Sequence, residues 1–121
     1  MTPDARRSLG DAGEAFVARW YERQGYEILD RNWRTRSGEL DLVLAGPRVL
    51  VFCEVKPRRT DGFGAPVEAV TDAKQRRIRA LAAEWMTSHA ATRGFAVRFD
   101  VAGVRLRAGA EPQLDVVEGA F

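Results

Sequence analysis

Two short runs, Gly38-Glu39-Leu40-Asp41-Leu42 and Phe52-Cys53-Glu54-Val55-Lys56, flank a Gly46-Pro47 turn and constrain the fold more than any other feature of the chain. Both alternate apolar and polar residues, as half-buried strands do, because side chains alternate across a strand with period two. Glu39, Asp41 and Val43 are therefore expected on one face of the first strand, and Leu50, Phe52, Glu54 and Lys56 on one face of the second. Paired as a hairpin, the strands bring Asp41, Glu54 and Lys56 to one spot. Two carboxylates beside an ammonium, on strands otherwise rich in Leu and Val, are costly to bury without a cation or another partner. A hard divalent ion supplies that partner, since Mg2+ takes oxygen ligands and usually only one or two protein carboxylates.

A chain of 121 residues suits one domain, 1–121, large enough for a real core. Its 45% hydrophobic and 30% charged residues are those of a soluble globular protein. No apolar run approaches the roughly 20 residues of a membrane span, so no membrane partner is expected. The start, Met-Thr-Pro-Asp-Ala-Arg-Arg, leads into no apolar stretch of a secretory leader. The lone Cys53 forms no internal disulfide and is expected to fill the core, which points to a cytoplasmic setting. A net charge of +2 and a pI near 9.1 lean toward an acidic partner such as nucleic acid. Of nineteen basic residues only Lys56 and Lys74 are lysines. In so Arg-rich a chain, a Lys at position 56 suggests a need for a compact amine whose pKa can move, which Arg does not meet.

Ser8-Leu9-Gly10-Asp11 resembles a capping box and opens a helix to about Gln24, with Leu9, Gly13, Phe16, Val17 and Trp20 as its stripe and Gly25 as its stop. Tyr26 to Leu29 reads as a first strand, followed by the hairpin strands at about Glu39–Leu44 and Val49–Lys56. Pro57 to Pro66, with two prolines and two glycines, reads as an irregular loop. A second helix is expected from about Thr71 to Ser88, burying Ile78, Leu81, Ala82 and Trp85. Phe95 to Val101 alternates as a strand, with shorter strands near Val104–Leu106 and Leu114–Val117. The order αβββαββ implies an α/β fold, a mixed central sheet flanked by two helices.

These residues resemble the PD-(D/E)-x-K nuclease core, the restriction-endonuclease-like fold. Asp41 matches the first acidic position and Glu54-Val55-Lys56 the (D/E)-x-K. Further segments, Leu9-Gly10-Asp11-Ala12-Gly13-Glu14-Ala15, Arg31-Asn32-Trp33-Arg34 and Arg98-Phe99-Asp100-Val101, extend the likeness to the bacterial YraN family, related to archaeal Holliday-junction resolvases. The resemblance spans about Leu9 to Val104. Leu40 stands where the motif's name has Pro, and Pro57 directly follows Lys56, where it removes a backbone donor and is expected to end the strand.

The resemblance implies Mg2+ or Mn2+ held by Asp41 and Glu54, with the Val55 carbonyl as a further oxygen ligand and Glu14, on the first helix, as another. Lys56 would orient or deprotonate the attacking water, or stabilise charge on the phosphate. Glu39 is either an alternate ligand or a strand-edge charge. Lys74 and Arg77, sharing a face of the second helix, and Arg58 and Arg59 in the preceding loop are candidate phosphate contacts, against the alternative of a solvated basic surface. Phe63, between two glycines, is a candidate wedge into a branched duplex or a residue that packs its own loop. The sole histidine, His89, is expected at a helix end, which leaves no histidine-based metal cluster or hydrolase triad. Three readings stay open: a metal-dependent endonuclease acting on DNA, branched DNA included, a catalytically silent nucleic-acid-binding module, and a structural or assembly protein. A homodimer is an open assembly.

Overall fold

A computed structural model describes residues 3–57, 70–105 and 109–121, with side chains from residue 11 onward. The expected contacts Arg58 and Arg59, and the loop residue Phe63, lie outside the described residues. In chain order the elements are helix α1 (Pro3–Arg23), strands β1 (Glu27–Thr35), β2 (Gly38–Gly46) and β3 (Val49–Pro57), helix α2 (Asp72–Thr87), a 3-10 turn (Ala90–Thr92), and strands β4 (Ala96–Arg105) and β5 (Gln113–Val117). This is the αβββαββ order that the hydrophobic pattern implies. The strands form one mixed sheet in the order β1-β2-β3-β4-β5. All pairs are antiparallel except the central β3–β4 pair, which is parallel and needs α2 as its crossover.

The two helices cover opposite faces. Val51, Cys53 and Val55 of β3 pack with Val17, Ala18 and Tyr21 of α1, whereas Leu50 and Phe52 pack with Ile78, Leu81, Ala82 and Trp85 of α2. A side chain buried to this degree stabilises the fold by about 1.5–3 kcal/mol. The buried stripe of α1 is therefore Gly13, Val17, Ala18 and Tyr21, with Phe16 and Trp20 only partly covered. Gly13 is required by the close approach, because a Cβ there would stand 2.9 Å from Val104 Cγ1 on β4. Among the described residues no helix is long and apolar enough to cross a membrane.

A buried carboxylate ties the far parts of the chain together. Asp100, fully excluded from solvent, accepts hydrogen bonds from Arg98 Nε and Nη2, both at 2.8 Å, from the Tyr21 hydroxyl at 2.6 Å, and from the Gly119 amide at 3.0 Å. Arg98 Nη2 also donates to the Tyr26 hydroxyl at 3.1 Å. The Arg98–Asp100 segment thus serves as an internal strut among α1, β4 and the C-terminal segment.

Four expectations need correction. Helix α1 begins at Pro3, so Ser8 lies within it rather than opening it. The first strand runs to Thr35 rather than stopping at Leu29, with an irregular register between Ile28 and Asp30. The polar run Asp30-Arg31-Asn32 concealed it, since β1 is an edge strand with many exposed positions. Phe95–Val101 and Val104–Leu106 are not two strands, because β4 continues unbroken from Ala96 to Arg105. Glu39 and Asp41 bring their carboxyl groups together as expected, but Val43 does not share their face. Leu40 and Val43 both join the α2-side core, while Leu42 and Leu44 join the α1-side core. Strict alternation would have sent Leu40 and Val43 to opposite faces, so the pattern slips by one residue at Asp41.

Candidate functional site

The slip at Asp41 coincides with a parting of strands. The β2–β3 ladder runs from Gly46↔Val49 to Leu42↔Cys53 and ends there. Strand β3 continues through Glu54, Val55, Lys56 and Pro57, paired only with β4 on its other side. Its exposed backbone edge is met by a side chain: the Val55 amide donates to Asp41 Oδ2 at 2.8 Å. This bond fixes the Asp41 carboxylate in the gap between the parting strands. The expected ligand role of Val55 was through its carbonyl; its observed contact with the site is through its N–H.

Around Asp41 the carboxyl groups gather in two sets. Glu14 of α1, Glu39 of β2 and Asp41 each place a ligand oxygen within 4.8 Å of the others. Glu54 points to the α2 side and is not in this triple. Its Oε1 lies 2.9 Å from Lys74 Nζ and 3.6 Å from Lys56 Nζ. Asp41 lies between the sets, near enough to Glu54 for that charge to raise its proton affinity. Asp41 and Glu54 thus come near each other, but among the described residues the carboxylates grouped closely enough for one ion are Glu14, Glu39 and Asp41. Glu39 carries a second partner, Arg34 Nε at 2.8 Å on the exposed rim.

Burial and crowding raise the proton affinity of these acids. Asp41 is pushed up to about 8, first by burial and next by the Glu54 charge, against the opposing Val55 N–H donation. Glu14 is raised above the usual carboxylate range by burial, partly offset by a hydrogen bond from Asn32, with the Glu39, Asp11 and Glu54 charges adding to the rise. Lys56 is lowered, mainly by burial and then by its hydrogen bond with Lys74. For Lys74 burial acts downward, but its hydrogen bonds with Lys56 and Glu54 and the nearby carboxylate charges outweigh it, so its affinity for a proton rises. Crowded carboxyls, Asp41 and Glu14 among them with proton affinity raised first by burial, form a hard, all-oxygen donor set, which suits Mg2+ or Mn2+.

This arrangement predicts an inverted pH dependence of stability in chelator. Asp41 holds its proton to about 8 in the folded chain, against 3.8 when unperturbed. The folded state thus binds more protons between these values. The stability carried by the neutral carboxyl is full below the lower value and lost as pH rises through the higher. Melting temperature should fall between about pH 4 and about pH 8, and Asp41→Asn should flatten that slope. A wild-type melting temperature that climbs across this interval would contradict the burial of a protonated Asp41.

One residue at the site, Asn32, was not singled out from sequence. Asn32 lies between the pairs Arg31↔Leu42 and Trp33↔Leu40, and so opposite Asp41 on the neighbouring strand. Its φ of 50° is in the left-handed region, which Asn tolerates better than most residues, and its side chain hydrogen-bonds Glu14. Lys74 was expected at a phosphate; it sits instead on Glu54, held there by the helix start, because Thr71 Oγ1 accepts the Lys74 amide at 3.2 Å. Arg77 is exposed, its stem against Gly38 at the β1–β2 turn. Cys53 is buried and free, and burial pushes its thiol up, away from reactivity. His89 caps the end of α2, with Nδ1 2.6 Å from the Trp85 carbonyl oxygen and its ring stacked on Trp85 at 3.7 Å.

Comparison with known proteins identifies the family. Residues 13–104, which include Glu14, Asn32, Asp41, Glu54, Lys56 and Lys74, match the model of "Uncharacterised protein family UPF0102". A UPF0102 protein of Acidothermus cellulolyticus is 48% identical, covering 99% of this chain and 98% of its own length. One from Rhodococcus opacus is 49% identical over 94% of this chain and 96% of its own length. A UPF0102 protein of Anaeromyxobacter dehalogenans is 44% identical over 98% of this chain and 87% of its own length. The family resemblance read from the five sequence segments is thereby established, and the chain belongs to the UPF0102 (YraN) family.

Proposed function

We propose that the protein is a metal-dependent endonuclease that hydrolyses phosphodiester bonds in DNA, branched DNA included, in the cytoplasm. The observation that carries this reading is the meeting of Asp41, Glu54 and Lys56 where β2 parts from β3, with Glu14 brought to Asp41 from α1. Glu14 and Asp41 would hold Mg2+ or Mn2+, with Glu39 in reach and Glu54 completing the negative side of the site. Such an ion, when bound, neutralises phosphate charge and stabilises the leaving oxygen.

The chain's own groups account for the rest. The Val55 amide holds one Asp41 oxygen in a fixed direction, so the carboxylate needs little reorganisation. Lys56 is partly accessible, and its amine has a lowered proton affinity, which suits a group that takes a proton from water at the site or orients it. The hydrogen bond from Asn32 keeps Glu14 turned toward Asp41. Exposed Arg76, Arg77 and Arg79 on α2 supply positive charge for backbone phosphates without reading sequence.

One observation favours a second reading. Glu54 is already compensated by two lysines, as a scaffold without turnover would also arrange it. Calorimetry with Mn2+ and a cleavage panel of linear, single-stranded, flap and four-way DNA separate the two. The nuclease should bind the ion, with affinity falling more than about tenfold in Asp41→Asn and in Glu14→Gln, at least the loss typical of disturbing a metal ligand's support. It should cut at least one DNA only when the ion is present. Equal ion affinity in wild type and both variants would place the ion elsewhere, and binding of DNA without cleavage of any panel member would replace the nuclease with the silent binder.

A further inference from the structure

The two lysines of an otherwise Arg-using chain converge on a single carboxylate, which the nuclease reading does not by itself require. Lys56 is on the motif strand, but Lys74 arrives from α2, and of the two it stands closer to Glu54, at 2.9 Å against 3.6 Å. The Lys74 side chain is 36% exposed, whereas Glu54 is 9% exposed. One end of the pair is therefore anchored in the protein, and the other reaches solvent on a flexible four-carbon stem. Arg at position 74 would present a planar fork suited to a bidentate lock; Lys presents a compact point charge that can turn from one acceptor to another.

We propose that Lys74 is a resident counter-ion of Glu54 that a divalent cation displaces, and that the displaced ammonium then engages a phosphate of the nucleic acid. The proposal rests on the metal-site reading above and adds a coupling between the two ligands. In the ion-free protein Lys74 offsets the buried Glu54 charge, whose other cationic partner among the described residues is the more distant Lys56. A divalent ion brought to the neighbouring Glu14 and Asp41 repels the ammonium and takes over the neutralisation of Glu54. The freed amine lies at the rim of the site, on the helix whose Arg76, Arg77 and Arg79 are exposed. Ion and nucleic acid thus favour each other's binding, as reciprocal linkage demands. Lys74 acts here as a positioning residue that changes partner.

Titration calorimetry with Mn2+ alone, and duplex DNA binding in chelator against Ca2+, test this without reference to turnover. Lys74→Met removes the charge and keeps the stem, and should bind Mn2+ about tenfold more tightly than wild type, since a nearby unit charge no longer opposes the ion. Lys74→Arg, which keeps the charge, should stay within about twofold of wild type. For wild type, the slope of log K against log salt on duplex DNA should steepen by about 0.9 when Ca2+ replaces chelator, one added phosphate contact. For Lys74→Met the slope should not change. Wild-type Mn2+ binding with unaltered affinity in Lys74→Met overturns the counter-ion role while leaving the metal site standing. A wild-type slope that is the same in chelator and Ca2+ overturns the change of partner. Absence of Mn2+ binding to wild type removes the metal site and this inference together. A melting temperature of Lys74→Met close to that of wild type confirms that these comparisons are made on folded protein.

Discussion

Lys56→Arg should lower DNA cleavage by about 10²-fold or more, the lower range for a positioned acid–base group, while duplex binding stays nearly intact. The amine lies 3.6 Å from Glu54, and burial together with the neighbouring Lys74 lowers its proton affinity. A guanidinium in its place keeps the charge but never gives up its proton, and it presents a planar fork in place of a compact amine. Single-turnover cleavage with Mn2+ and filter binding with Ca2+, on the same DNA, measure the two halves of the claim. If Lys56→Arg cleaves as fast as wild type, the lysine supplies charge alone and the proton is handled elsewhere.

Asp100→Ala should cost about 3–5 kcal/mol of stability, as expected when one partner is removed from a buried ion pair. The loss has a clear origin. Asp100 is fully buried and takes four hydrogen bonds, from Arg98 twice, from Tyr21 and from Gly119. Without it the guanidinium is left partly buried, and the Tyr21 hydroxyl loses its 2.6 Å acceptor in the α1-side core. Denaturant unfolding monitored by tryptophan fluorescence reads the change directly. Since none of these groups touches the carboxyl cluster, Mn2+ affinity of the surviving folded fraction should be unaltered. A loss under about 1 kcal/mol would mean that water replaces the carboxylate at low cost.

The hairpin was legible in the sequence because its information is local. Period-two alternation and a Gly46-Pro47 turn fix the Leu42↔Cys53 register, and that register alone carries Asp41 toward Glu54. The helix containing Ile78, Leu81, Ala82 and Trp85 was equally plain, since all four are buried at helical spacing. What the pattern concealed was each departure from regularity. The slip at Asp41 leaves no trace in alternation, because Leu40 is apolar and satisfies either face. The strand at Asp30-Arg31-Asn32 reads as a polar loop until an edge position explains its exposure. Lys74 looked like one more basic residue on a solvated helix, and only the packing of α2 against β2 and β3 shows that it turns inward to Glu54.

The lone parallel pairing, β3 with β4, also orders the site in time. The β1–β2–β3 meander is antiparallel and contiguous in sequence, so its contacts close short loops. The acidic floor made by Asp41 and Glu54 belongs wholly to that meander. Pairing β3 with β4 has to wait until the intervening segment, with α2 inside it, has folded back across the sheet, and that closure cost is met before any contact rewards it. Lys74 travels on this crossover. On loop-closure grounds Asp41 and Glu54 are expected to meet before Lys74 reaches them, so the completed Lys74–Glu54 pair reports that the parallel β3–β4 pairing has formed.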